Sequence, residues 1–391
     1  MGQTPCLGPP LAEALSSKWG FYGGPVTDKK SSHGWSDSLR VIWGISCMQG
    51  WRERMEDAHI AIPHLHGWPD TAVFGVMDGH GGAQVARFCE QHLPEEISRH
   101  SSDDVAGALA NAFHKMDELL ADPRSLHELR ALTRQNSGFQ ASEASLMIPQ
   151  LMGCTAIVCC IRKDTITVAN AGDCRAVLCR AGRAIDMSED HKPQLPSECA
   201  RIRRAGGCIM EQRCLAGALY RVNGDLSLSR AIGDLRYKQN ARLSPQDQII
   251  CCTPDVRSFT REPEDEFMLL ACDGVWDVLS SQQAVDLVRP FIAGLLDGTV
   301  RPSAVAEELL DICISPDLTR TNGIGGDNMT LMIIAFRNGV APRRFFASPA
   351  SRTMGPRAPR STRVGPDSRC RGTPFPQPAT APGSWSKTAR L

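Results

Sequence analysis

Short apolar runs that stop at an acidic or turn-forming residue recur along this chain, and nothing else in it constrains the fold as tightly. RVIWGISCMQG, DAHIAI, TAVFGVMD, GCTAIVCCI, TITVANAGD, CRAVLCR, EFMLLACD and NMTLMIIAF are each dense in Val, Ile, Phe or Leu, with Gly, Asp or Asn at or near their ends. That is the make-up of strands bounded by turns. Between them lie helical patterns: GAQVARFCEQHLPEEI, DDVAGALANAFHKMDELLA and SQQAVDLVRPFIAGLL, the last preceded by Ser280, which has capping-box spacing to Gln283. Strand pairs alternating with helix pairs predict an α/β (α+β) protein: a four-layer α-β-β-α sandwich of two antiparallel sheets flanked by helices, rather than a doubly wound parallel sheet.

The patterning covers residues 39–336, which are expected to form one domain. Residues 1–38 are rich in Gly, Ser and Pro without an apolar period and read as a flexible leader. Residues 121–150 break the periodicity and read as a surface excursion. Residues 337–391 carry nine Pro and a net charge of +10 in a chain whose 43 basic and 43 acidic residues otherwise cancel. Such a basic, Pro-rich tail has too little apolar surface to offset the entropy of ordering and is expected to be disordered.

Sixteen Cys spread from Cys6 to Cys370 without a C-x-x-C pair suit reduced thiols in the cytoplasm or nucleus better than a disulfide framework or a zinc site. The longest nearly apolar stretch, Cys154 to Ile161, is far short of the roughly 18 residues that cross a bilayer. Gly2 follows Met1, but Cys6 stands where the N-myristoylation pattern has Ser or Thr. Weak membrane association through acylation of Gly2 or Cys6 is the most this supports. Neither a coiled coil nor a repeat is visible, so a monomer is expected, with no specific nucleic-acid partner.

Several acids sit where an apolar run ends or begins: Asp78 after TAVFGVM, Asp173 after ITVANAG, Asp273 after EFMLLAC, Asp327 just before NMTLMII, and Glu56 and Asp57 beside another strand. Any one Asp-Gly is more often a turn than a site. Six carboxylates aimed at one cleft would repel unless cations sat between them, and with no His/Cys cluster to favour zinc, hard oxygen-seeking ions such as Mg2+ or Mn2+ suit them.

SCMQGWRERMEDAH, FGVMDGHGG, GCTAIV, VANAGDCRAVL, EDHKP, ARIRRAGG, LSLSRAIGD, LLACDGVWDVLS and GDNMT occur in an order that resembles the metal-dependent protein phosphatases of type 2C, most closely their alpha/beta-like group. The resemblance spans about Leu39 to Phe336. It implies a protein serine/threonine phosphatase that holds two Mg2+ or Mn2+ ions, with a weaker third. Asp78 would bridge the two ions, with Glu56 and the Gly79 carbonyl on one side and Asp273 and Asp327 on the other. Asp57 matches a neighbouring acid of the cluster, while Asp173 and Asp277 join Asp273 around the third ion. Arg52 matches the phosphate-holding arginine and His80 the general acid, with Thr155 and Asn328 in support. Phosphoserine and phosphothreonine proteins would be hydrolysed by a metal-bridging water, with no covalent phosphoenzyme.

Cys174 and Arg180 have the C-x5-R spacing of cysteine-dependent phosphatases, but the intervening RAVLC is a strand pattern, not a loop entering a helix. A non-catalytic binding module is the other class to weigh. It should have lost carboxylates that this chain keeps. Two segments depart from the family pattern: CIMEQRCLAGALY, between Gly207 and Arg221, is longer, as a longer hairpin, a weakened fold or a specificity element, and RTNGIGGDNM is a Gly-rich expansion before Asp327.

Overall fold

The computed structural model describes residues 24–338 except 69, 137–147 and 215–216. The expected acylation sites Gly2 and Cys6, most of the leader, the tail beyond residue 338 and the tip of the long insertion lie outside the described residues. The chain runs through β1 (Val26–Ser36), β2 (Val41–Gly50), β3 (Ala58–Ile62), β4 (Thr71–Met77) and the two-residue β5 (Gly79–His80). Helices α1 (Gln84–Ser98), α2 (Val105–Ala121), α3 (Leu126–Asn136) and α4 (Ile148–Leu151) follow. Then come β6 (Gly153–Cys154), β7 (Ala156–Arg162), β8 (Thr165–Ala171), β9 (Arg175–Arg180), β10 (Arg183–Asp186) and α5 (Pro196–Arg204). After β11 (Ile209–Cys214), β12 (Gly217–Val222), β13 (Ile232–Gly233), β14 (Asp255–Thr260) and β15 (Asp265–Ala271), the helices α6 (Asp273–Trp276), α7 (Ser281–Val288), α8 (Ile292–Asp297), α9 (Pro302–Cys313) and α10 (Leu318–Thr321) lead into β16 (Met329–Phe336).

The ladders between the described strands are antiparallel: a six-stranded sheet β1-β2-β16-β15-β9-β10 and a five-stranded sheet β14-β8-β7-β4-β3, with a small three-stranded sheet β13-β6-β5 and the separate hairpin β11-β12. Because successive side chains of a strand point to opposite faces, the apolar runs feed two layers of core at once. In β16, Met332, Ile334 and Phe336 join Trp43, Phe74, Ile157 and Leu270 between the large sheets. Leu331, Ile333 and Ala335 face the helices with Val285, Val305 and Leu309. In β7, Cys159 packs between the sheets while Cys160 faces α1 and α2 beside Phe88 and Phe113. The result is the expected four-layer sandwich, with those cysteines acting as small hydrophobes.

Three boundaries are corrected. The leader does not run to residue 38, since Val26–Ser36 is an edge strand paired to β2. Its side chains are mostly exposed, so it carries no apolar period to read. The stretch 121–150 is not wholly an excursion, because α3 buries Leu129 and Leu132 against α1 and α2. Pro290 splits the third helical pattern into α7 and α8, while the Ser280–Gln283 capping box forms as read.

Candidate active site

The antiparallel registers explain why acids far apart in sequence meet. Met48 of β2 pairs with Met329 of β16, Ala271 of β15 with both Leu331 and Arg175, Ala58 of β3 with Met77 of β4, and Ala156 of β7 with Ala171 of β8. The end of each strand therefore lies beside the start of its neighbour, all along one rim of the sandwich. Arg52 and Glu56 leave β2 there, Asp78 leaves β4, Asp173 leaves β8, Asp273 leaves β15, and Asp327 and Asn328 precede β16. Together with Gly79, His80, Thr155 and Leu228 they line a cavity of about 430 Å³. Asp277, one turn after Asp273, lines the adjoining groove of about 470 Å³ with Lys192, Tyr220 and Arg221.

Backbone clamps hold this rim. Asn328 accepts the Glu56 N–H at 2.8 Å and donates to the carbonyls of Gln49 and Arg54 at 2.7 and 2.9 Å, which pins the Arg52–Glu56 loop to the start of β16. Thr155 donates its N–H to the Asp78 carbonyl at 2.9 Å, and its hydroxyl meets the Cys174 sulfur at 3.0 Å. Gly79 passes so close to the Glu56 carbonyl that a Cβ would lie 2.3 Å from it, so only glycine fits there.

The electrostatics are those of acids crowded with only partial compensation. Burial raises the Asp78 carboxyl well above the usual range, and Asp273, Asp57, Asp327 and Asp173 raise it further. Asp273 is raised by burial and then by Asp173, Asp327 and Asp277, and burial likewise raises Glu56. Asp57, buried behind Asp78, is pushed up to about 7, chiefly by burial, although the Thr330 hydroxyl donates to it at 2.7 Å. One oxygen each of Asp57 and Asp273 is buried with no hydrogen-bond partner. Orphaned carboxylate oxygens among mutually repelling acids fit a hard divalent cation. Cys272 lies with Asp57 and Asp78 in the tightest such group, but burial raises its thiol far above the ordinary value and it donates to Asp57 at 3.4 Å. Sulfur is a soft donor, and beside carboxylates a hard ion such as Mg2+ or Mn2+ takes the oxygens.

Cations of the protein meet parts of this cluster. Arg52 pairs with Asp327 at 2.5 Å, and the Lys192 ammonium lies 2.5 Å from Asp173. Burial disfavours the charge on Lys192, yet Asp173 and Asp273 hold its pKa above the ordinary value. His80 Nε2 lies 2.6 Å from the buried Asp234 carboxylate; burial opposes the imidazolium, and Asp234 outweighs it and raises His80. Sequence reading singled out neither Lys192 nor Asp234. Lys192 stands in EDHKP beside Glu189 and Asp190, whereas its partner Asp173 lies 19 residues earlier, and SRAIGD carries no sign that Asp234 meets His80.

The cysteine alternative fails on geometry. Cys174 is fully buried with its thiol raised far above the ordinary value, chiefly by burial, and Arg180 is engaged by Asp265 at 2.6 Å. The long insertion is an antiparallel hairpin, β11-β12, whose second strand supplies Leu219, Tyr220 and Arg221 to the groove beside the acids. RTNGIGGDNM forms the end of α10 and a run of turns whose Gly323–Gly326 also line that groove.

The family model described as protein phosphatase 2C matches residues 43–321. Among curated proteins, "Probable protein phosphatase 2C 11" of Oryza sativa subsp. japonica is 39% identical over 348 residues, covering 82% of this chain and 91% of its own. "Probable protein phosphatase 2C 3" of Paramecium tetraurelia is 41% identical over 313 residues, covering 79% and 96%. The fold is shared with a solved "serine-threonine phosphatase 2C from Toxoplasma gondii" (TM-score 0.57, 21% identity, 78% of this chain and 99% of that one) and with a phosphatase from a pathogenic strain of the same organism (TM-score 0.59, 23% identity, 80% and 96%).

Proposed function

This chain belongs to the protein phosphatase 2C family, a metal-dependent serine/threonine protein phosphatase, and we propose how its residues divide the work. Glu56, Asp78 and the Gly79 carbonyl would hold one divalent ion, Mg2+ or Mn2+, and Asp78, Asp273 and Asp327 would hold a second, with Asp57 supporting from behind. Asp173, Asp273 and Asp277 offer a weaker third position, which Lys192 must vacate because its ammonium already neutralises Asp173. The observation that carries this reading is the set of crowded carboxyls around one cavity, with orphaned oxygens on Asp57 and Asp273. Bound there, such ions supply Lewis acidity and a water acidic enough to attack phosphorus near neutral pH.

The other groups act on the substrate. Arg52 presents a planar fork that matches two phosphate oxygens, in exchange for or alongside its contact to Asp327. His80, held by Asp234, supplies a proton to the serine or threonine oxygen, a poor leaving group unless protonated. The burial of Cys174 supports water rather than a protein thiol as nucleophile. We place the catalytic domain at about residues 24–338, as a monomer acting on phosphoserine and phosphothreonine proteins in cytoplasm or nucleus. The free cysteines support a reducing compartment. Among the described residues, no helix is long and apolar enough to cross a membrane.

The test is phosphate release from a phosphothreonine peptide by the full chain, with Mn2+ or Mg2+ titrated against EDTA. Metal-dependent turnover that Asp78→Asn abolishes is the expected outcome. Turnover indifferent to EDTA would overturn the metal assignment, and a folded protein without turnover would favour a binding module.

A further inference from the structure

We propose that Asp234 is the positioning residue for His80 and that the missing side chain of Gly153 is what lets the two groups meet. This rests on the reading of His80 as the proton donor. The small sheet β13-β6-β5 exists around this contact: His80 pairs with Gly153, Gly153 pairs with Gly233, and Asp234 follows directly. The His80–Asp234 bond thus passes across β6 at Gly153. A Cβ added there would lie 2.3 Å from Asp234 Oδ2, 2.6 Å from His80 Nε2 and 2.7 Å from Asp234 Cγ, so its three nearest heavy atoms all belong to this pair.

Asp234 is itself held in an uncommon conformation. Its backbone is left-handed, at φ 48° and ψ 39°, a state that costs a non-glycine residue energy and persists only where its surroundings enforce it. Its N–H donates to the Met152 carbonyl at 2.8 Å, and its carbonyl accepts from Tyr237 at 2.9 Å. Behind it, Asp117 accepts the Gly233 N–H at 2.8 Å and the buried Lys238 ammonium at 2.6 Å, while Lys238 also donates to the Ala231 carbonyl at 2.6 Å. The carboxylate is fixed from both sides and is 1% exposed, whereas His80 reaches the cavity.

With Nε2–H donated to Asp234, Nδ1 is the nitrogen that serves the substrate. As the oxygen of water bonds to phosphorus, the bond to the serine or threonine oxygen breaks and that oxygen takes the Nδ1 proton. The imidazole keeps Nε2–H on Asp234, and the proton released by the water passes to solvent, from which Nδ1 is reprotonated. A carboxylate that fixes one ring nitrogen so that the other can move a proton is the general logic of an oriented imidazole.

The test compares a phosphothreonine peptide with p-nitrophenyl phosphate, whose phenolate leaves with little need of a proton. Asp234→Asn, nearly the same shape, and Gly153→Ala, from the other side of the contact, should each lower kcat for the peptide about tenfold more than for the aryl phosphate, with KM within about twofold. His80→Gln should show the same discrimination, and adding Asp234→Asn to it should cost less than about twofold more. A low-field imidazole N–H resonance should be present in the parent protein and missing from Asp234→Asn and Gly153→Ala. Equal losses on both substrates, no loss, or retention of that resonance would overturn the inference. If His80→Gln discriminates and neither other variant does, only the role of Asp234 falls; if His80→Gln itself does not discriminate, the proton-donor reading falls with it.

Discussion

Two buried charge clusters in this domain use the same kinds of residue to opposite ends. Around Glu198, which is 2% exposed, Arg201 and Arg230 each donate at 2.7 Å, Ser229 adds a third bond, and Arg230 bridges on to Asp255 beside His191. Burial opposes ionisation of Glu198, but Arg230 and Arg201 outweigh it and hold its carboxyl down at about 2. At the rim of the sandwich Asp78 and Asp273 are raised instead, because their neighbours are other acids and the protein supplies too few cations. A buried acid that the fold has paired serves stability; a set left short of positive charge is spare binding capacity for a cation.

The contrast is tested most severely by neutralising one acid in each cluster. Asp273→Asn should cut turnover at saturating Mn2+ by at least about 10³-fold, over 4 kcal/mol of barrier, while raising the melting temperature of the metal-free protein, since it removes repulsion. A fall in that melting temperature would show that the rim acids are not in conflict. Glu198→Ala should do the reverse, destabilising by about 3 to 4 kcal/mol in urea titration because two buried guanidiniums lose their partner, with kcat of the remaining folded protein retained.

The pH dependence of stability should carry both signs. The depressed Glu198 carboxyl contributes stability that is present above its ordinary 4.5 and lost as pH falls toward about 2, worth about 3 kcal/mol. Asp57, raised to about 7, costs the metal-free fold stability above that pH, and the cost is relieved as pH falls from about 7 toward 4. Metal-free protein should therefore melt highest near pH 4 to 5, and a flat profile through that range would contradict the assignment. Mn2+ at about 100 times its dissociation constant should add about 2.7 kcal/mol near neutral pH, and EDTA should remove it. The smallest effect belongs to Arg52→Ala, expected to raise KM for a phosphopeptide about tenfold with kcat little changed.

Sequence reading reached the layers and the acids because both are written in local pattern. An apolar run and the Asp at its end are neighbours in the chain, and antiparallel pairing then gathers the ends without further information. The missing pieces are those with no local sign. Asp234 meets His80 across 154 residues, and nothing near either one announces the other. Lys192 is readable as a cation but not as the neutraliser of Asp173, which depends on a bend of the chain after β10. β1 escaped because VTDKKSSHGWS is an edge strand whose side chains are mostly exposed, so its pairing is a backbone matter. α3 escaped because only Leu129 and Leu132 among its described side chains are buried.

β16 is the last of the described strands, yet it lies inside the larger sheet, between β2 and β15, and Asp327 and the Asn328 clamp stand just before it. A ribosome must therefore deliver almost the whole domain before the inner seam of that sheet can close. Until then the Arg52–Glu56 loop lacks its Asn328 clamp, and the rim lacks Asp327. A chain that stopped before residue 327 would hold most of the apolar layers and lack both Asp327 and the Asn328 clamp.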